Sequence, residues 1–119
     1  MEKRKIAETI SKLIENLELD SQHGCVVVYV GIVKSFKDKG TRKLILQLDR
    51  ELFLKLCEDL RKSFDSSMSV SIWINEKREL EPGDIIIAIA VAGSSRVTTL
   101  ELLREIVDLY KKLSVKVEY

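Results

Sequence analysis

The chain has one histidine, one proline, one tryptophan and two cysteines among 119 residues. Each scarcity removes a class of function. His23 alone cannot seed a zinc site at any standard spacing, and Ser94 and Ser95 have no base near them in sequence, so neither a metal centre nor a hydrolytic triad is expected. Cys25 and Cys57 form no Cys-x-x-Cys pair and read as two buried, reduced thiols of a cytoplasmic protein. Neither the phosphate-loop pattern nor Gly-x-Gly-x-x-Gly occurs, which argues against a self-contained nucleotide-hydrolysing enzyme; Gly24 and Gly31 flank a strand instead. Charge of one sign is also missing. A formal net charge of +1 gives no global basic field for nucleic acid. The opening "MEKRKIAETISKLIENL" carries charge every two or three positions, so neither a signal peptide nor a membrane span is expected there. No Pro/Gly/Ser-rich linker or internal repeat is visible, and residues 1–119 read as one domain.

What is present is globular composition, 45% apolar and 33% charged, enough to build a core. Ile6, Ile10, Leu13, Ile14 and Leu17 recur at helical spacing and predict a first helix over residues 4–18. "CVVVYVGIV" (25–33) reads as a strand buried on both faces. "KSFKDKGTRK" (34–43) then predicts a hairpin loop returning through "LILQL" (44–48). A second helix is expected over 50–64, capped by Asp49, with Leu52, Leu56, Leu60 and Phe64 as its buried stripe and Phe53 and Cys57 beside it. "SVSIWIN" (69–75) alternates as a half-buried strand, and "LEPGD" (80–84) is a turn into the apolar strand "IIIAIAVA". Thr98 with Glu101 predicts a capping box for a third helix over 98–112, its core face Leu100, Leu103, Val107 and Tyr110. "SVKVEY" closes as a short strand with Val115 and Val117 inward and Lys116 and Glu118 outward. The order α-β-β-α-β-β-α-β argues for an α+β fold with a mixed or antiparallel sheet.

The candidate chemistry is cationic. Lys34, Lys37, Lys39, Arg42 and Lys43 crowd the first loop against Asp38 alone, which suits either a solvated loop or a surface for an anion or acidic partner. "AGSSR" before the third helix is sharper. Free backbone N–H groups beside small residues suit phosphate or carboxylate. The helix dipole disfavours a cation there by roughly 0.3–1 kcal/mol, so Arg96 sits against the preference unless it meets an anion or points to water. Lys116 reads either as an edge-strand lysine that blocks aggregation or, with a neighbouring cation or partial burial, as a reactive amine.

Four pieces, taken in order, resemble one family. "GCVVVYVGIVK" resembles a glycine-started strand ending Gly-x-Val-Arg. "RELEPGDIIIAIAVAGSSR" is similar to Gly-Glu-Leu-x-Pro-Gly-Asp followed by an apolar strand and a His-Arg exit. The third helix is similar in placement, and "VKVEY" is similar to a terminal Trp-Lys-x-Glu. Together they resemble the large, catalytic subunit of molybdopterin synthase, the MoaE family, over roughly residues 20–119. The resemblance implies an α/β-hammerhead fold and a homodimer. It also implies a small ubiquitin-like sulfur-carrier subunit (MoaD-like) on each protomer, giving a heterotetramer. Sulfur would pass from the carrier's C-terminal thiocarboxylate to cyclic pyranopterin monophosphate, with no metal or cofactor on this chain. Carried over residue by residue, Lys116 would be the catalytic lysine and Arg96 would bind phosphate or the pterin, and Lys34, Ser94 and Ser95 are expected to complete the anion site. Lys34 stands where the family has arginine, Ser95 where it has histidine, and Val115 where it has tryptophan. A second function the resemblance allows is a binding or dimerisation module on the same scaffold that transfers no sulfur.

Overall fold

The computed structural model describes residues 3–35 and 43–119. Its elements are α1 (Lys3–Glu15), β1 (Cys25–Ile32), β2 (Leu44–Gln47), α2 (Arg50–Phe64), β3 (Ser69–Ile74), β4 (Glu79–Leu80), β5 (Ile85–Gly93), α3 (Arg96–Leu113) and β6 (Val115–Glu118). Two antiparallel sheets result, β1-β5-β3 and β4-β2-β6. The α+β class expected from the sequence is the one observed. The two-residue strand β4 arises where only a turn was expected.

β5 is the axis of the molecule, with all nine residues buried. Its alternation of large and small side chains determines what packs on each face. Ile87, Ile89 and Val91 join Phe53, Leu102, Ile106 and Tyr110 beneath α2 and α3. Ala88, Ala90 and Ala92 face the other way, where their small size lets Leu13 of α1 and Leu17 just beyond it approach. Each fully buried aliphatic side chain of this kind contributes roughly 1.5–3 kcal/mol by leaving water.

The predicted hairpin between residues 25–33 and 44–48 does not form. β1 pairs with β5, whereas β2 pairs with β4 and β6. β1 is apolar throughout and suits the fully buried strand beside it, whereas β2 sends only Leu44 and Leu46 into the core. That one-sided pattern fits the smaller sheet.

The helices keep their places but rotate. Asp49 caps α2 as expected, accepting from the Leu52 N–H at 3.1 Å. The buried line of α2 runs Phe53, Cys57, Leu60, Phe64, while Leu52 is 42% exposed. The helical spacing accommodates either line, and the one carrying the aromatic ring faces inward, where Phe53 meets Tyr110 edge to face at 6.2 Å. α3 begins at Arg96 and buries Thr99, Leu102, Ile106 and Tyr110; Leu103 and Val107 flank this face, and Leu100 is half exposed. Its cap is Ser95 rather than Thr98, the Ser95 hydroxyl accepting from the Thr98 N–H at 3.3 Å. Cys57 is buried, and that burial pushes its thiol up to about 12. Cys25 is only half-buried, contrary to the expectation; both thiols are free.

β6 reverses the expected orientation. Lys116 lies opposite Leu46 and Glu118 opposite Leu44, on the side of the β2 leucines, yet all four residues of β6 are exposed. Val115 and Val117 lie on the outer face, 55% and 46% exposed. The cause is register: cross-strand partners share a face, and β2 must turn its leucines inward.

Candidate functional site

At the exit of β5, Gly93 permits a close approach that no other residue would. A Cβ there would lie 2.4 Å from Thr99 Oγ1 and 3.0 Å from Met68 Cε. Thr99 cannot move aside freely, because its hydroxyl donates to the Ser95 carbonyl. This contact seats the first turn of α3 against the end of the sheet. With Thr98 satisfied by the Ser95 hydroxyl, the Arg96 and Val97 N–H groups remain the intrahelically unpaired donors of that turn. Ser94, Ser95 and Arg96 are exposed, and the Arg96 guanidinium has no hydrogen-bond or ion-pair partner among the described residues. Small residues, two open N–H groups and a free guanidinium make this turn suitable for an anion.

Lys116 sits at the other end of α3. Its Nζ lies over the Tyr110 ring, 5.5 Å from the centroid, within cation–π range. Tyr110 is 2% exposed, and its hydroxyl is buried with no hydrogen-bond partner of good geometry among the described residues. Burial above all, and then the nearby Tyr29 phenol, pushes its ionisation up to about 12, Ser114 acting slightly in the other direction. Tyr110 therefore meets the amine as a neutral ring. The sequence placed Tyr110 on the core face of its helix and gave no sign of its contact with Lys116, which exists only because β6 folds back on β2.

Lys34 follows β1 by two residues and is exposed. The chain there is tied to the β4–β5 turn: the Val33 N–H donates to the Asp84 carbonyl at 2.9 Å, and the Gly83 N–H donates to the Val33 carbonyl at 2.9 Å. Register sets the distances. Cys25 pairs with Gly93 and Ile32 with Ile85, so Arg96 and Lys34 lie beyond opposite ends of β5. That strand is about 27 Å long at about 3.3 Å per residue. Arg96 and Tyr110 are separated by about 20 Å of helix at 1.5 Å per residue. Within one protomer, Arg96 does not meet Lys34 or Lys116.

Of the remaining loop cations, Lys37, Lys39 and Arg42 lie outside the described residues, as does Asp38. Lys43 is engaged: its amine binds Glu79 at 3.1 Å, and the Tyr119 hydroxyl donates to the same carboxylate at 2.7 Å. The Tyr119 hydroxyl first, and Lys43 next, hold Glu79 below the ordinary carboxylate range. This is a clip across β6, β2 and β4. The surface clefts lie elsewhere. One of 690 Å³ is lined by His23, Arg61 and Ser67 among others, and another of 440 Å³ lies beside Trp73, Lys12 and Asp84. In the first, the His23 ring meets the Ser67 carbonyl at 2.7 Å, and Arg61 binds Glu58 and the carbonyls of Ser66 and Met68. Those groups are mutually satisfied and lock a turn.

The fold and these cations define an α+β protein with anion-accepting groups at both ends of its third helix. The profile of the MoaE protein family matches residues 2–113, and the chain belongs to that family. Membership supports a role in molybdenum cofactor biosynthesis. The fold is also similar to that of solved structures. Molybdopterin synthase from Staphylococcus aureus matches with a TM-score of 0.71 at 18% identity, covering 85% of this chain and 77% of that one. A complex of subunits 1 and 2 of molybdopterin-converting factor from Helicobacter pylori matches with a TM-score of 0.70 at 16% identity, covering 99% and 78%. Molybdopterin cofactor biosynthesis protein E from Burkholderia multivorans gives 0.67 at 18% identity, covering 95% and 83%. No curated protein matches the chain significantly. Among the described residues, no helix is long and apolar enough to cross a membrane.

Proposed function

We propose that this chain is the large subunit of a molybdopterin synthase. It accepts the thiocarboxylate tail of a small ubiquitin-like carrier and delivers the sulfur to cyclic pyranopterin monophosphate, building the dithiolene of molybdopterin. Lys116 is the catalytic residue, stabilising the negative charge that develops during transfer or supplying a proton. The observation that carries this reading is the seat of the Lys116 amine over the buried Tyr110 ring, 5.5 Å from its centroid, although Lys116 lies on an exposed strand. Lys34 contributes a second positive charge, without the two-pronged geometry an arginine would give a phosphate. Arg96, with Ser94 and Ser95, binds the substrate anion. Because about 20 Å of helix separates Arg96 from the ring under Lys116, the two serve one reaction only across two protomers. The working unit is accordingly a homodimer, and with one carrier on each protomer a heterotetramer, acting in the cytoplasm. The complex of two subunits among the similar structures supports a carrier of this kind.

The same separation favours a second reading. A chain whose cations stay apart in its own assembly would bind the carrier or dimerise without transferring sulfur. Reconstitution distinguishes the two. The purified chain, a thiocarboxylated carrier and cyclic pyranopterin monophosphate are mixed, and molybdopterin is measured after oxidation to its fluorescent derivative. Product formation supports the synthase. Carrier binding without product supports the binding module, and the absence of both product and carrier binding overturns both readings.

A further inference from the structure

Tyr110 and Lys116 lie six positions apart in sequence, on different elements, yet ring and amine are in contact. The ring is rigid for identifiable reasons. Tyr110 belongs to the last turns of α3, and its carbonyl accepts the Ser114 N–H at 2.9 Å where the helix ends. Its edge-to-face neighbour Phe53 is wholly buried, so the ring plane is held from beneath by α2. Lys116 is exposed, but its pairing opposite Leu46 fixes its backbone where the amine reaches over that plane. A lysine free in solvent samples many rotamers, and ordering it costs up to about 2 kcal/mol. Here a fixed aromatic face narrows that search. The position of the amine is thus defined by the ring.

We propose that Tyr110 is the positioning residue of Lys116, holding the ammonium over its ring so that the amine is presented at one place to an incoming thiocarboxylate. The proposal rests on the reading of Lys116 given above, but its physical half is measured without catalysis. The Lys116 ε-methylene is observed by proton–carbon correlation NMR and assigned by its loss in Lys116→Ala. In wild type it is shifted upfield of the other lysines by the ring and shows nuclear Overhauser contacts to Tyr110. Tyr110→Phe keeps both features; Tyr110→Leu, checked for folding by thermal melting, loses both. In reconstitution, Tyr110→Leu lowers kcat by about two- to fivefold, the size of a cation–π contact, with KM for the carrier unchanged, and Tyr110→Phe restores it. An unshifted Lys116 signal in wild type, or an upfield signal that survives in folded Tyr110→Leu, overturns the proposal. Should Tyr110→Leu fail to fold, the wild-type and Tyr110→Phe spectra decide it alone. A wild-type chain with the NMR contacts but no product overturns the catalytic reading of Lys116 and leaves the ring's hold on the amine standing.

Discussion

At the level of single residues, the structure separates side chains that hold the fold from those available for chemistry. Gly93 belongs to the first group. Adding one methyl group there drives a Cβ into Thr99 Oγ1, and Gly93→Ala is expected to cost about 1–3 kcal/mol of stability, read as a lower urea midpoint. Ser95 belongs partly to each. The resemblance cast it as an anion ligand in place of a histidine, and the structure gives its hydroxyl a second task as the cap of α3. Ser95→Ala is therefore expected to lower stability by about 1 kcal/mol, while Thr98→Ala, the residue the capping-box pattern favoured, costs less. A larger loss in Thr98→Ala than in Ser95→Ala, read in urea titrations, would return the cap to Thr98. The cap was hard to read because "SSRVTT" offers four hydroxyl side chains in six positions, and only the contact between Thr99 and Gly93 decides where the first turn begins.

Element by element, what was legible followed hydrophobic period, and what was not followed pairing. The three helices, the strands at 25–33 and from Ile85, and the Asp49 cap were readable locally, but β1, expected to be buried on both faces, is a half-buried edge strand with Val26 42% exposed. The pairing of β1 with β5 was not, because adjacency in sequence favours a hairpin and nothing local reveals that β5 needs a partner on each side. The face of β6 was likewise invisible: "VKV" alternates identically whichever side is buried, and β2 decides the matter through register. This assignment is testable. With Val117 on the outer face, Val117→Thr should change stability by less than about 0.5 kcal/mol in thermal or urea unfolding. An inward Val117 would instead lose more than about 1 kcal/mol through the buried hydroxyl. The same flip bears on function, since it brings Lys116 to the ring of Tyr110.

For the molecule as a whole, two buried weak acids shape its response to alkali. Cys57 and Tyr110 ordinarily ionise near 9 and 10, and burial pushes each up to about 12 in the folded chain. The unfolded chain therefore gives up these protons first. Their contribution to stability is complete below about pH 9 and is lost as pH rises toward 12. Urea midpoints should fall across that window, with a shallower fall in Cys57→Ala; a flat profile would place the thiol in contact with water. Function also belongs to this scale, because the cations that the sequence grouped by family pattern are spread by folding over both ends of β5 and α3. Its most direct test is sulfur transfer itself, with wild type and Lys116→Ala each supplied with thiocarboxylated carrier and cyclic pyranopterin monophosphate. The account predicts molybdopterin from wild type and none from a folded, carrier-binding Lys116→Ala. Undiminished product from Lys116→Ala, or no product from wild type that binds the carrier, would contradict it.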